Sequence, residues 1–221
     1  FSIAAIYFGI DLMAITADHL MYVYDLIYII ASGDDSVCVL PVVGEQGTLD
    51  WEQLGGLIAE FGFIAKVMPD PTFEAMVFLG NRAYPVGGKF YWGPTLGRRL
   101  PKHHYLYQPD GDIMATLHGI VDMELICYQH VPVLVDIAVA VKKLLRGSKV
   151  NVYKDKDAAY KVSFDLKTPP YDAGTVEWVA NVYNMPVRNI YDCLEYVQTI
   201  DTLPCLIHHD AFEAFVVVDM A

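Results

Sequence analysis

The first basic side chain in this chain is Lys66, and nine acids precede it: Asp11, Asp18, Asp25, Asp34, Asp35, Glu45, Asp50, Glu52 and Glu60. The sorting continues downstream. Gly80 to Pro109 holds five bases (Arg82, Lys89, Arg98, Arg99, Lys102) and no acid, Lys142 to Lys167 holds eight bases against Asp155, Asp157 and Asp165, and six acids but no base follow Arg188. A chain sorted in this way presents patches of opposite sign, and such patches set partner choice and docking register.

At 221 residues the chain suits one large domain or two small ones. Hydrophobic residues make up 54% and charged ones 19%, too few charges to cover a lone globule, which points to surface buried against other subunits. The net charge of −12 argues against nucleic acid and anionic membrane as main partners, so no duplex nucleic acid is expected. Asp11, Asp18, His19 and Asp25 break the apolar stretch from Phe1 to Ala31, so no membrane span is expected there. Four cysteines imply no disulfide framework and favour a reducing compartment or a virion.

The spacing by seven of Asp11, Asp18 and Asp25 predicts a helix within Ser2 to His19, while Met21 to Ile30 fits helix or strand. Ser32-Gly33-Asp34-Asp35 reads as a turn before a strand at Val37–Val43. Asp50 is a good N-cap for a helix carrying Trp51, Leu54, Leu57, Ile58 and Phe61 on one face and stopped by Gly62. Phe63–Val67 and Ala75–Leu79 read as strands, and Gly80–His104 as a long irregular arm. Pro109-Asp110-Gly111 reads as a hairpin turn. The strand expected after it puts His118, Asp122, Glu124, Tyr128 and His130 on one face and Leu117, Val121, Met123, Leu125 and Cys127 on the other. Pro132, the cations Lys142, Lys143 and Arg146, and Gly147 bracket a buried helix. A hairpin at Lys149–Leu166, two helices at Thr175–Tyr183 and Pro186–Ile200, and a hairpin from Leu203–His208 and Phe212–Val218 complete the chain. The expected fold is α+β, a mixed or antiparallel sheet with β-hairpins packed against several helices. It is read as one domain over residues 1–221, divisible into 1–80, 81–111 and 112–221.

Several constellations bear on chemistry. The stretch Val176–Glu195, with Val179, Ala180, Tyr183, Asn184, Met185, Ile190 and Cys193 in order, resembles the helix-turn-helix of repressors and sigma factors. That resemblance implies base reading by Val187, Arg188, Asn189 and Tyr191. From Thr168 onward, however, Arg188 is the only base against eight acids, which would repel a phosphate backbone. Cys127…His130 and Cys205…His208 are donor types that suit Zn²⁺, but positions i and i+3 of a strand face opposite ways. His118, Asp122 and Glu124 on one strand face suit acid–base work, though a solvated sheet face explains them equally. Gly87-Gly88-Lys89 lacks the pattern of a P-loop.

The arm, with Arg82, Lys89, Tyr91, Trp92, Arg98, Arg99 and Lys102, has an aromatic-plus-arginine composition that suits single-stranded nucleic acid as well as a protein interface, and the acidity of the rest of the chain favours a protein partner. These readings lead to an expectation of a non-enzymatic assembly subunit, such as a virus or phage particle component, that binds other protein subunits as an oligomer and takes no cofactor or metal. The alternatives are a metal-dependent or acid–base hydrolase and a helix-turn-helix regulator.

Overall fold

The computed structural model describes residues 28–32, 35–39, 51–60, 62, 64, 76–104, 112–148 and 168–220. They fall into two units, Phe1–Thr72 and Phe73–Ala221. The fold is α+β; among the described residues it comprises two two-stranded antiparallel sheets, one in each unit, with helices. Among the described residues no helix is long and apolar enough to cross a membrane.

In the first unit, β1 (Tyr28–Ser32) and β2 (Asp35–Val39) pair from Tyr28↔Val39 to Ser32↔Asp35. Tyr28, Ile29, Ile30, Val37 and Val39 are the aromatic and β-branched types that suit a pleated surface, so the ambiguous Tyr/Ile stretch resolves as strand from Tyr28. Helix α1 (Trp51–Glu60) follows. Gly62 sits beyond it at φ +82°, the left-handed stop that its position predicts. The helix expected in Ser2–His19 lies outside the described residues.

In the second unit, β3 (Asn81–Val86) and β4 (Lys89–Pro94) form a hairpin, which corrects the expectation of an irregular arm. The turn is Gly87-Gly88 at φ +55° and +77°, a pair that supplies the positive φ a two-residue hairpin needs. Of the strand expected at Ala75–Leu79, only an isolated Phe78↔Asn81 bridge is present, because Leu79 and Gly80 both turn the chain at positive φ. A short helix α2 (Leu96–Arg99) and a 3₁₀ turn (Leu100–Lys102) follow.

The strand expected from Asp112 is instead helix α3 (Ile113–Cys127). Asp112 is its N-cap, accepting from the amides of Met114 at 2.9 Å and Ala115 at 3.2 Å. Leu117, Val121 and Leu125 are spaced by four, which satisfies period two and a helical stripe alike, and the cap decides. The hairpin expected at Lys149–Leu166 lies outside the described residues. Helix α4 (Leu134–Leu144) lies between Pro132 and Gly147 much as expected, with Asp136 accepting from the Val133 amide at 3.1 Å.

Helices α5 (Ala173–Val182) and α6 (Val187–Gln198) match the expected pair, joined through Asn184 at φ +49°. The closing hairpin is corrected. Leu203–His208 has no strand, and Asp210–Met220 is helix α7. The β-branched run Val216–Val218 favours strand, but Ala211, Phe215 and Asp219, spaced by four, are all buried. Tertiary burial overrides the local preference.

Tyr84, Leu96, Leu134, Ile137, Val179, Tyr183, Ile190 and Phe215 are central to the core, with Trp178 packed 5.0 Å from the Tyr84 ring. His130 is buried beside them and donates Nε2–H to the Trp92 carbonyl at 3.0 Å. Burial pushes its imidazolium pKa down from 6.5 to about 4 despite that hydrogen bond. The folded state therefore refuses a proton that the unfolded chain accepts. Its contribution is complete above pH 6.5 and is lost as pH falls toward 4, amounting to roughly 3 kcal/mol. Urea midpoints taken from pH 7 to pH 4 should fall less steeply in His130→Gln than in wild type; equal slopes would contradict this assignment.

Candidate functional site

In the first unit the register of β1 and β2 closes on Ser32↔Asp35. Asp35 therefore opens β2 in a hairpin whose strands are largely apolar, and Asp34 precedes it in sequence. Phe1–Thr72 carries ten acids and Lys66 as its only lysine or arginine. Adjacent carboxylates with so little cationic compensation in their own unit are hard oxygen donors of the kind that hold Mg²⁺ together with water and substrate phosphates. Sequence reading took Ser32–Asp35 as a turn alone. The available signal was a pair of consecutive acids next to an apolar, β-branched stretch.

In the second unit, His118 and Asp122 do meet, as neighbours one helical turn apart on α3 with Nε2 and Oδ2 separated by 3.9 Å. Lys142 on α4 reaches between them, its ammonium donating to Asp122 Oδ1 and to His118 Nε2. An ammonium only donates, so Nε2 is an acceptor and the ring proton sits on Nδ1. Nδ1 then donates to Ser148 Oγ at 2.9 Å, and Ser148 donates to the Leu145 carbonyl at 2.8 Å. This polarity is the reverse of an activated serine, since the imidazole has no lone pair facing the hydroxyl. Beside it His118, Leu125, Val139, Lys142, Lys143 and Arg146 line a recess of about 490 Å³; Lys142 is already paired with Asp122, so Lys143 and Arg146 are the cations there that suit a phosphate or carboxylate group.

Glu124 leaves this group. On a strand it would share a face with His118 and Asp122. On α3 it instead points to a different partner set, Arg99, His103 and His104. His130 is in the core, Cys127 ends α3, and Cys205 and His208 are exposed. Among the described residues, neither Cys-x-x-His pair contributes to a group of three converging metal-ligand atoms.

The seven arm residues are divided by the hairpin. Arg82 is buried against Asp219, Arg99 pairs with Glu124, and Tyr91 is half-buried with its ring 5.8 Å from that of His130. The Arg98 Nε donates to the Asp219 carbonyl at 3.2 Å, while Lys89, Trp92 and Lys102 are exposed. On the helix pair, Arg188, Asn189 and Tyr191 are exposed and Val187 is half-buried, with Arg188 3.6 Å from Asp192. No family model, curated protein or solved structure matches the chain.

Proposed function

We propose that the chain is part of a divalent-metal-dependent enzyme of phosphoryl transfer acting on nucleotides or a nucleic-acid strand, with Asp34 and Asp35 as metal ligands. The observation that carries this reading is the register that closes on Ser32↔Asp35, which sets Asp35 at the start of β2 directly after Asp34 in the sequence. Bound there, Mg²⁺ would neutralise charge developing on a transferring phosphoryl group, as in nucleic-acid polymerases and nucleases.

The division of charge supports it. Of the fifteen lysines and arginines, fourteen follow Thr72, among them the three cations of the α4 recess. This departs from the whole-chain argument that −12 excludes nucleic acid. Most of that negative charge lies in Phe1–Thr72, where it serves a cation rather than repelling a strand.

Mn²⁺ binding followed by electron paramagnetic resonance tests the ligands directly. Asp34→Asn and Asp35→Asn should each weaken it at least ~10-fold, whereas Glu52→Gln and Glu60→Gln, acids of the same unit, should not. In a primer-extension assay with ribonucleoside triphosphates and Mg²⁺, the same two variants should lose roughly 10²–10³-fold of activity. Manganese binding unchanged in Asp34→Asn and Asp35→Asn would sink the proposal.

A second reading, an assembly subunit, draws on Phe90 and Trp92, which are 53% and 44% exposed on one face of the β3–β4 hairpin. Its test is the native mass at low salt. A monomer at high concentration, with no co-purifying partner, would remove it.

A further inference from the structure

We propose that Glu124, His103 and His104 form a binding site for a transition-metal dication, Zn²⁺ by the chemistry of its donors, within the second unit and independent of the phosphoryl-transfer reading. The three residues each offer one ligand atom, and these atoms lie within 4.8 Å of one another. The His104 Nε2 is 2.9 Å from Glu124 Oε2, and the His103 Nε2 is 3.4 Å from the same oxygen. Zinc bonds of roughly 2.0–2.1 Å in a tetrahedron require ligand–ligand edges of about 3.3–3.4 Å. The His103 edge matches that value and the His104 edge is shorter, so an ion can enter once the His104 ring and the carboxylate move apart by about 0.4 Å. Two imidazoles and one carboxylate leave a fourth position for water.

Two further observations point to a ligand. The His103 side chain is only 6% exposed, yet neither ring nitrogen has a hydrogen-bond partner, and its 3.4 Å approach to Glu124 is too poorly aligned to be one. A buried imidazole without partners is costly, and a metal bond removes that cost at one nitrogen. His104 holds φ +57°, a strained conformation for a residue with a side chain. Neighbours in sequence rarely point one way, yet here the two rings lie 3.7 Å apart.

Arg99 is the apparent objection, as a cation beside a cation site. Its Nη2 donates to the other carboxylate oxygen, Oε1, at 2.8 Å, leaving Oε2 to face the imidazoles. Its side chain is 34% exposed, so its charge is partly screened. A ligating carboxylate held by an outer hydrogen bond is the usual arrangement around a metal. Glu124 itself is fully buried.

The test uses the full chain, prepared metal-free and titrated with Zn²⁺ by calorimetry and with Co²⁺ by visible absorption. One ion per chain is expected, with cobalt d–d bands of low-coordinate intensity. His103→Gln and His104→Gln should each weaken binding at least ~100-fold. Cys205→Ser and His208→Gln should leave it unchanged. Glu124→Gln breaks the pair with Arg99 and is prone to unfold, so His103→Gln, which removes no hydrogen bond, is the deciding variant. Absence of a stoichiometric site in the folded wild-type chain, or wild-type affinity in folded His103→Gln, would overturn the proposal.

Discussion

Asp219→Ala is expected to cost about 3–5 kcal/mol of stability, the loss typical of leaving one partner of a buried ion pair uncompensated. Asp219 lies on the last turn of α7, with its carboxylate almost wholly buried. It accepts from Arg82 Nη2 at 3.1 Å, from the Gly97 amide at 2.6 Å and from the Tyr183 hydroxyl at 2.7 Å. Tyr183 in turn accepts from the Leu96 amide at 3.1 Å, and the Arg82 guanidinium lies 5.8 Å from its ring. One carboxylate therefore ties α7 to β3, α2 and α5. Burial above all, then the neighbouring Tyr84 and Asp219, pushes the Tyr183 phenol far above its ordinary value, so it remains a donor at any working pH. Asp219→Asn keeps the shape but removes the charge facing Arg82, and should recover only part of the loss. Urea unfolding of the three proteins measures this directly. A cost below ~1 kcal/mol for the alanine variant would mean that the α7 clamp is dispensable.

Gly97→Ala should be of similar size, about 3 kcal/mol, through sterics rather than charge. An added Cβ would stand 2.0 Å from the Phe215 carbonyl oxygen, 2.5 Å from its carbonyl carbon and 2.8 Å from the Val216 amide nitrogen. All three are backbone atoms of α7, which cannot rotate aside as a side chain can. The helix must back away, stretching the bond from the Gly97 amide to Asp219. Gly93 provides the comparison. There an added Cβ meets Val131 Cγ2 at 2.5 Å, His130 Nε2 at 2.8 Å and Tyr84 Cδ2 at 3.0 Å, all side-chain atoms, so Gly93→Ala should cost less. Because Gly97 and Asp219 share one hydrogen bond, the double variant should lose less than the two single losses added together. Thermal melts of the four proteins would show it; a Gly97→Ala melting point equal to wild type would refute the close approach.

Some of this fold was legible in the residues alone. Gly62, Gly147 and Asn184 mark chain reversals by their tolerance of positive φ, and each does so in the structure. Proline and the cations around α4, and the paired apolar stripes of α5 and α6, are local signals that need no distant partner. The α+β class follows from them.

What the tertiary structure decided had no local signature. Leu117, Val121 and Leu125 satisfy strand and helix alike, so α3 was set by its cap and its surroundings. The strand-forming valines of α7 became helical because Ala211, Phe215 and Asp219 had to reach the core together. The basic segment that looked like an arm for another molecule finds acids within its own chain. Arg82 meets Asp219 across 137 residues and Arg99 meets Glu124 across 25. The cluster of His103, His104 and Glu124 was invisible for the same reason. Charge sorting along a sequence says which signs are in excess, but chain topology decides whether the opposite charge comes from a partner or from a distant turn of the same chain.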